Sequence, residues 1–469
     1  MKRTKNNLEN YSEKWYDRFS KKTTPKVKQK KTKDITRSNL KTESFFSKCK
    51  KDFDSSNKNY EKKRKPLFIG KILMSQSMFS AEKLPSDAVK ILKNFSEIVQ
   101  SVRPLNSRQL AKLPLEIRNL SHELTDERSE RKRSYMNETI RLTSYIRYYM
   151  WWNLIRLTRL FSNLPENSFC LNSGDVCLDA GSGPLTFVTA LWLARPELRS
   201  KNLTWYCLDI SQTALSLGEE IFLAVAARTL TDIQATPWKI IRVKGELGTF
   251  IKQKVNFIAS ANMFNELRQH TDMPPEYSAK KYCESLLNYA ADKFSVFLVE
   301  PGVPKFARLL ALMRDFFLRH EMNIISPCPH SVECPMPGKH GGKWCNFAFS
   351  TDDAPEKLLK LSKSAELPKE RAVLSYIFVT NQEKNICDKK DICLRITSDV
   401  IKLPGKEEGF YACSEKGLVL AVNKGSETFS SGDELEIERN ILEKSNSIDE
   451  KSGAIKINLM HSGAETGKC

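Results

Sequence analysis

The period of the hydrophobic positions changes near residue 170, and this change divides the chain into differently folded parts. Between residues 67 and 165, apolar residues recur every three or four positions, which predicts helices. From about residue 170, short apolar runs alternate with helical stretches, which predicts a doubly wound α/β sheet. The predicted strands of this sheet are DVCLDAG, LTWYCLDI, WKIIRVKG, KVNFIASANMF and FSVFLVEPG.

Two later runs, KWCNFAFS and RAVLSYIFVTN, are predicted to close the sheet as a final pair of strands. The Rossmann-like domain is therefore assigned to residues 166–381, after a helical region over 67–165. Residues 382–440 contain further alternating runs, which predict a small all-β module. The polar segments 1–66 and 441–469 are predicted to be disordered tails.

Charge is concentrated at the N-terminus of this 469-residue chain, whose net charge is +19. Residues 1–66 contain 22 Lys and Arg against 8 Asp and Glu, which leaves about +5 for the remainder. Such a segment favours phosphate contacts with RNA or DNA, and the alternative is a solubilising tail without a partner.

No apolar run is long enough to cross a bilayer, and the N-terminus has no secretory signal, so we expect no membrane association. The twelve cysteines of a chain this large then favour a reducing intracellular compartment. Bacterial cytoplasm and mitochondrial matrix both fit this expectation. Reduced cysteines remain available as metal ligands, and we expect a monomer.

A glycine-rich turn follows the first predicted strand of the sheet. Asp179, Gly181 and Gly183 stand in the order Asp-x-Gly-x-Gly, and the turn opens a predicted helix. The glycines allow a tight turn close to a ligand, and the helix N-terminus adds a partial positive charge. Asp209 ends the next strand, where an acidic residue can accept hydrogen bonds from ribose hydroxyls.

This arrangement resembles the class I S-adenosylmethionine-dependent methyltransferases. The resemblance implies that Asp179, Gly181 and Gly183 hold the methionine and ribose part of the cofactor, and that Asp209 holds the ribose. The fourth strand leads into Asn262, Asn265 and Glu266, which could face a substrate or cap the following helix. The Asn/Asp-Pro-Pro-aromatic tetrad of amine-methylating members is absent there, and no catalytic base is evident.

The segment from Ser326 to Phe347 is rich in proline, glycine and cysteine. Cys328, Cys334 and Cys345 have the spacing Cys-x5-Cys-x10-Cys, looser than the close cysteine pairs typical of zinc sites. This spacing favours an iron–sulfur cluster, with zinc as the alternative. Cys413 is the preferred fourth ligand, and the rival ligands are Cys387, Cys393, His330 and His340.

The same segment carries a second, more specific resemblance. SPCPHSVECP, KWCNF, LSYIFV, ACSEKG and SSGDELE are similar to motifs of the methyltransferase-like family of mitochondrial small-ribosomal-subunit assembly proteins and their bacterial relatives. The resemblance covers roughly residues 85 to 440. It implies that Cys328, Cys334, Cys345 and Cys413 bind a four-iron, four-sulfur (4Fe–4S) cluster.

The family resemblance also implies a function. It indicates an assembly factor that binds small-subunit rRNA and ribosomal proteins, with S-adenosylmethionine and the cluster as ligands. The first alternative is an active rRNA methyltransferase of the small subunit. The second alternative is a metal-stabilised DNA-binding protein.

Overall fold

The computed structural model describes residues 72–125, 135–230, 236–267, 273–339, 342–383, 391–424, 428–443, 445 and 447–459. All of them belong to one compact unit that spans Arg64–Cys469. The predicted basic tail over residues 1–66 lies outside the described residues. No helix among the described residues is long and apolar enough to cross a membrane.

The N-terminal region is largely helical, as its three- and four-residue periodicity predicts. Its described helices are Ser86–Lys93 (α1), Phe95–Val102 (α2), Ser107–Thr125 (α3), Thr139–Ser144 (α4) and Trp151–Asn163 (α5), with a π-helical segment, Tyr145–Met150, between α4 and α5. A strand, Ile72–Gln76 (β1), precedes these helices, so the helical prediction is wrong for residues 72–76. This strand pairs with a partner more than 350 residues away, which no local period reveals.

The central sheet confirms the predicted α/β fold class. Its strands are Val176–Ala180 (β2), Thr204–Asp209 (β3), Lys239–Lys244 (β4), Val255–Ala261 (β5), Ala290–Glu300 (β6), Asn323–Ser326 (β7), Phe347–Ser350 (β8) and Arg371–Thr380 (β9). They run in the order β4-β3-β2-β5-β6-β9-β7, and β8 pairs with β9. The strands from β2 to β6 are parallel, and β9 is antiparallel to β6. The short strand β7 was not predicted.

Helices cover both faces of this sheet. They are Thr186–Ala194 (α6), Gln212–Ala226 (α7), Pro275–Leu287 (α8), Pro304–Arg319 (α9) and Glu356–Ser364 (α10). Successive strand residues point to opposite faces, so Phe257 and Phe297 pack in one core with α5, α6 and α7. Ile258 and Leu298 pack in a second core with α8 and α9.

A second sheet, here called the C-terminal sheet, contains the predicted β module. Its remaining strands are Asp391–Ile396 (β10), Ile401–Leu403 (β11), Glu407–Ser414 (β12), Gly417–Asn423 (β13), Glu434–Glu438 (β14) and Ile455–Leu459 (β15), with a short helix, Arg439–Glu443 (α11). The sheet runs β1-β14-β10-β12-β13-β15, with β11 beside β12. The prediction of a disordered tail over 441–469 is wrong for 441–443, which belong to α11, and for 455–459, because β15 pairs with β13 and buries Ile457 and Leu459. The other segment boundaries stay predictions.

Phe297 offers a direct test of the core around the central sheet. Its side chain is fully buried, and its ring lies 5.2 Å from that of Phe161 and 4.6 Å from that of Phe378. We expect Phe297→Ala to lower the free energy of unfolding by about 3–5 kcal/mol, because it removes buried area and leaves a cavity. Urea unfolding measures this loss. The control is Phe250→Ala, since Phe250 is 85% exposed and its removal should cost less than about 0.5 kcal/mol.

Candidate functional site

A cavity lies at the carboxyl ends of β2, β3, β4 and β5, where ligands bind in open α/β sheets. We call it the cofactor cavity. Asn153 of α5, and Met136 and Tyr145 before that helix, also line it. Its polar lining residues include Asn153, Asp179, Asp209, Asn262 and Glu266.

The glycine turn, residues 181–185, contributes residues 181–184 to the lining of the cofactor cavity. Gly181 and Gly183 have φ angles of +71° and +50°, a region that glycine enters without steric cost. A Cβ atom at Gly181 would lie 2.5 Å from the Cβ of Met263, so the chain approaches the end of β5 closely here. The turn then leads into α6, whose N-terminus faces the cavity.

Asp179 has an unpaired carboxylate oxygen at the cavity wall. The residue is 1% exposed, and its Oδ2 accepts a hydrogen bond of 2.7 Å from Ser182 Oγ. Its Oδ1 is buried without a hydrogen-bond partner among the described residues. Burial raises the pKa of Asp179 to about 7, the bond from Ser182 opposes this, and the charge of Asp209 adds to it. A buried acceptor of this kind requires a donor, which a ligand hydroxyl or ammonium group can supply.

Asp209 fastens the glycine turn to the end of β3. Its Oδ2 accepts from the Gly183 N–H at 2.9 Å, and its Oδ1 accepts from the Ser211 N–H at 2.8 Å. Burial raises the pKa of Asp209, and these backbone hydrogen bonds oppose the rise. Each carboxylate oxygen retains acceptor capacity, so Asp209 can still accept hydrogen bonds from a ribose. The donors and acceptors of this site therefore fit an adenosine cofactor.

The loop after β5 has a different arrangement from the one predicted. Asn262 and Glu266 line the cofactor cavity, whereas Asn265 donates from Nδ2 to the Asn262 carbonyl at 2.6 Å. The buried Glu300, at the end of β6, accepts from the Phe264 and Asn265 N–H groups at 2.9 and 3.1 Å. Burial raises the pKa of Glu300 to about 8. Asn265 is not among the lining residues of the cavity and its side chain closes its own loop, and the substrate-facing role of the three residues stays a prediction.

Sequence reasoning missed Arg156, Asn153 and Glu300, three residues that organise this side of the cavity. Arg156 on α5 donates from Nη2 to Asn153 and Asn262, and from Nη1 to the Val373 carbonyl. Its helix is dominated by apolar and aromatic residues, so it was interpreted as core. Glu300 is the third missed residue, and a carboxylate at the end of a buried strand was the available signal.

The predicted cysteine ligands come from both sheets. Cys328 and Cys334 follow β7, Cys345 precedes β8, and Cys413 lies on β12. Burial raises the pKa of Cys345 well above its usual range, and the charges of the other three cysteines raise it further. Arg314 contacts Cys328 Sγ and the His330 carbonyl, and His330 Nε2 lies 3.0 Å from Cys413 Sγ, so the cysteine segment meets β12 here. The chain thus brings four soft sulfur ligands together across the two sheets, a set that fits a thiolate-bound metal group.

Two buried arginines face these thiols. Arg314 Nε donates to Cys328 Sγ at 3.3 Å, and the charges of Arg314 and Arg395 lower the pKa of Cys328 against the effect of its burial. Arg395 also donates from Nε to the Pro327 carbonyl at 3.0 Å, which joins β10 to the cysteine segment. Hydrogen bonds to sulfur and nearby positive charge stabilise anionic thiolate groups.

The rival ligands differ in position. His330 Nε2 lies 3.0 Å from Cys413 Sγ, so it is beside the thiols. Cys393 instead groups with Glu434 and Glu436 on β10 and β14. Cys387 and His340 lie outside the described residues.

The sequence profile described as mitochondrial small ribosomal subunit Rsm22 matches residues 173–413, which is just over half of the chain. This range includes the glycine turn and all four cysteines. A comparison with curated proteins finds no match.

Solved structures with a similar fold include several methyltransferases. The plantazolicin methyltransferase BpumL, in complex with S-adenosylhomocysteine, is 12% identical with a TM-score of 0.26, over 61% of this chain and 100% of that one. A protein described as a class I S-adenosylmethionine-dependent methyltransferase from Listeria monocytogenes is 12% identical with a TM-score of 0.27, over 66% and 91%. Precorrin-6y C5,15-methyltransferase from Geobacter metallireducens is 10% identical with a TM-score of 0.27, over 46% and 84%. Because these scores are low, nothing about function follows from them.

Proposed function

Because the chain belongs to the mitochondrial small ribosomal subunit Rsm22 family, we propose that it is an assembly factor that binds small-subunit rRNA. Its ligands are S-adenosylmethionine and a 4Fe–4S cluster. The observation that carries the proposal is the family match over residues 173–413, which spans both sets of candidate ligand residues. The family's description favours the mitochondrial matrix over the bacterial cytoplasm as its compartment.

S-adenosylmethionine fits the polar groups of the cofactor cavity. Asp209 offers acceptors to the ribose from the end of β3, and Asp179 offers a free acceptor from the end of β2. Gly181 leaves space that a side chain would fill. When bound, the cofactor would supply an electrophilic methyl group, and this chain's residues would orient it.

The spacing of the thiols favours a cluster over a single zinc ion. A tetrahedral zinc ion with Zn–S bonds of about 2.3 Å holds its sulfur ligands about 3.8 Å apart. Among the described residues, the group of three or more ligand atoms within 4.8 Å of one another is Cys393, Glu434 and Glu436. The four predicted cysteines do not form such a group in this metal-free structure. A larger inorganic centre accommodates wider spacing.

The loop after β5 favours a protein that binds rRNA over an enzyme that methylates an exocyclic amine of rRNA. An amine donates two hydrogens, so a site that grips it needs two free acceptors. At Asn262 the side-chain oxygen accepts from Arg156 at 3.2 Å, and the backbone carbonyl accepts from Asn265 at 2.6 Å. Each of these oxygens thus already accepts one hydrogen bond within the chain, and the Asn/Asp-Pro-Pro-aromatic tetrad of amine-methylating members is absent from this loop. We therefore propose a binding role for this site, with rRNA methylation as the alternative.

The basic N-terminal residues complete the proposal. Residues 1–66 carry 22 Lys and Arg against 8 Asp and Glu, which suits phosphate contacts along rRNA. Such contacts supply affinity without sequence specificity. We propose that this segment is an RNA-binding arm and that ribosomal proteins are the other neighbours.

Crosslinking and sequencing of bound RNA, with nucleoside mass spectrometry of rRNA from a deletion strain, tests this function. We expect small-subunit rRNA fragments to be enriched and the methylated nucleosides of that rRNA to be unchanged. Loss of one methylated nucleoside would instead establish the methyltransferase alternative. Enrichment of duplex DNA over rRNA would overturn both and favour a DNA-binding protein.

A further inference from the structure

One guanidinium nitrogen orients two amide side chains at the far end of the cofactor cavity. Arg156 Nη2 donates to Asn153 Oδ1 at 2.8 Å and to Asn262 Oδ1 at 3.2 Å. Because a guanidinium group only donates, the amide atoms that face it must be oxygens. Both NH2 groups are therefore turned away from Arg156.

These two NH2 groups are open donors. Asn153 and Asn262 both line the cavity, and their described hydrogen bonds use the amide oxygens and not the NH2 groups. Arg156 is itself fixed by its bond of 2.8 Å to the Val373 carbonyl on β9. Asn262 has φ +60°, a left-handed conformation that asparagine tolerates better than most residues. The pair offers up to four N–H donors from a fixed position.

The strand order determines which part of a ligand meets these donors. β3 and β5 flank β2, so Asp209 and Asn262 are separated by two strand spacings, or about 10 Å. Asp179 lies between them with its unpaired Oδ1. Starting at Asp209, which would bind the ribose, the cavity thus presents first the carboxylate acceptor of Asp179 and then the two amide donors. An α-amino acid group, with an ammonium and a carboxylate, complements this sequence of acceptor and donors.

We propose that Asn153 and Asn262 bind the α-carboxylate at the methionine end of S-adenosylmethionine. Arg156 is a positioning residue, because it contacts the two amides and holds their donors toward the ligand. The inference rests on the proposed cofactor site and adds the residues that select a ligand with an amino acid tail.

Substitution of each asparagine by aspartate, which has the same shape, tests the NH2 donors and keeps the contacts to Arg156. Asn153→Asp and Asn262→Asp keep an oxygen toward Arg156 and replace each NH2 group by an acceptor oxygen. Titration calorimetry would compare S-adenosylhomocysteine with 5′-methylthioadenosine, which has the same nucleoside and sulfur but no amino acid group. We expect each variant to weaken S-adenosylhomocysteine binding about 10- to 100-fold, the loss typical of one or two charge-assisted hydrogen bonds. Binding of 5′-methylthioadenosine should change less than about twofold, since it makes no contact with the amides.

Two further variants test whether Arg156 orients the amides and whether an added negative charge alone weakens binding. Arg156→Lys keeps the positive charge but loses the planar fork, so we expect it to weaken S-adenosylhomocysteine and spare 5′-methylthioadenosine. Asn288→Asp makes the same amide-to-acid change at an exposed position outside the cavity and should leave both affinities unchanged.

The outcomes distinguish the inference from the proposed function. If the wild-type chain binds neither ligand, the cofactor site itself is wrong and the inference falls with it. If the wild-type chain prefers S-adenosylhomocysteine and both acid variants keep that preference, cofactor binding stands and the carboxylate assignment is overturned. Decarboxylated S-adenosylmethionine gives an independent readout, because its affinity should not fall in the acid variants.

Discussion

Cys413→Ser is expected to abolish the iron–sulfur chromophore of protein purified without oxygen and to loosen the C-terminal sheet. Cys413 lies on β12, whereas the other three thiols flank β7 and β8, so a shared cluster would join the two sheets. Its loss would also remove the anionic group next to Arg314 and Arg395, which keep Asp315 and Glu434 as ion-pair partners. We expect the free energy of unfolding to fall by about 1–3 kcal/mol, because the cluster no longer joins the two sheets.

The measurements are visible absorbance at about 400 nm, where iron–thiolate groups absorb, and iron and acid-labile sulfide analysis at about four of each per wild-type chain. The matched control is Cys393→Ser, which replaces a cysteine of the same sheet that groups with Glu434 and Glu436. It should retain iron and stability. Stoichiometric zinc in place of iron, or loss of iron in Cys393→Ser and not in Cys413→Ser, would contradict the proposed ligand set.

The sequence predicts those parts of the fold whose structure is determined by residues close together along the chain. Strands β2 and β3 are continuous apolar runs because both faces of a parallel sheet are buried. The glycine turn is visible because only glycine enters its backbone conformations freely, as at Gly181 and Gly183. The acids at the strand ends follow from the same pattern.

The missed features depend on distant partners. β1 and β15 are short strands at the two edges of the C-terminal sheet, and their pairing partners cannot be inferred from their own sequences. Likewise Arg156 is one polar residue among apolar neighbours on α5, and only the tertiary structure places it against Asn262, 106 residues away. A polar network of this kind has no period along the chain, so pattern reasoning assigned the helix that carries Arg156 to the core.

Asp179→Asn is expected to stabilise the ligand-free protein at pH 8 while it weakens cofactor binding. Burial raises the pKa of Asp179 to about 7, against about 3.9 in an unfolded chain. Between these values the unfolded state has released a proton that the folded state retains, so the free energy of unfolding falls as pH rises. Asparagine carries no proton to lose. The variant should therefore exceed the wild type by about 2–4 kcal/mol at pH 8 and match it near pH 4.

Urea unfolding at both pH values measures this difference, and calorimetry with S-adenosylhomocysteine measures the loss of binding. The same carboxylate should thus destabilise the empty site and bind the ligand, because an ammonium donor would supply the partner that Oδ1 lacks. Asp292→Asn, at an exposed position, is the control and should alter neither property. If the variant and the wild type differed in stability by the same amount at pH 4 and pH 8, the pKa of Asp179 would be the same in the folded and unfolded chains. The unpaired oxygen would then have a donor in solution, and the case for an amino acid ligand at this position would weaken.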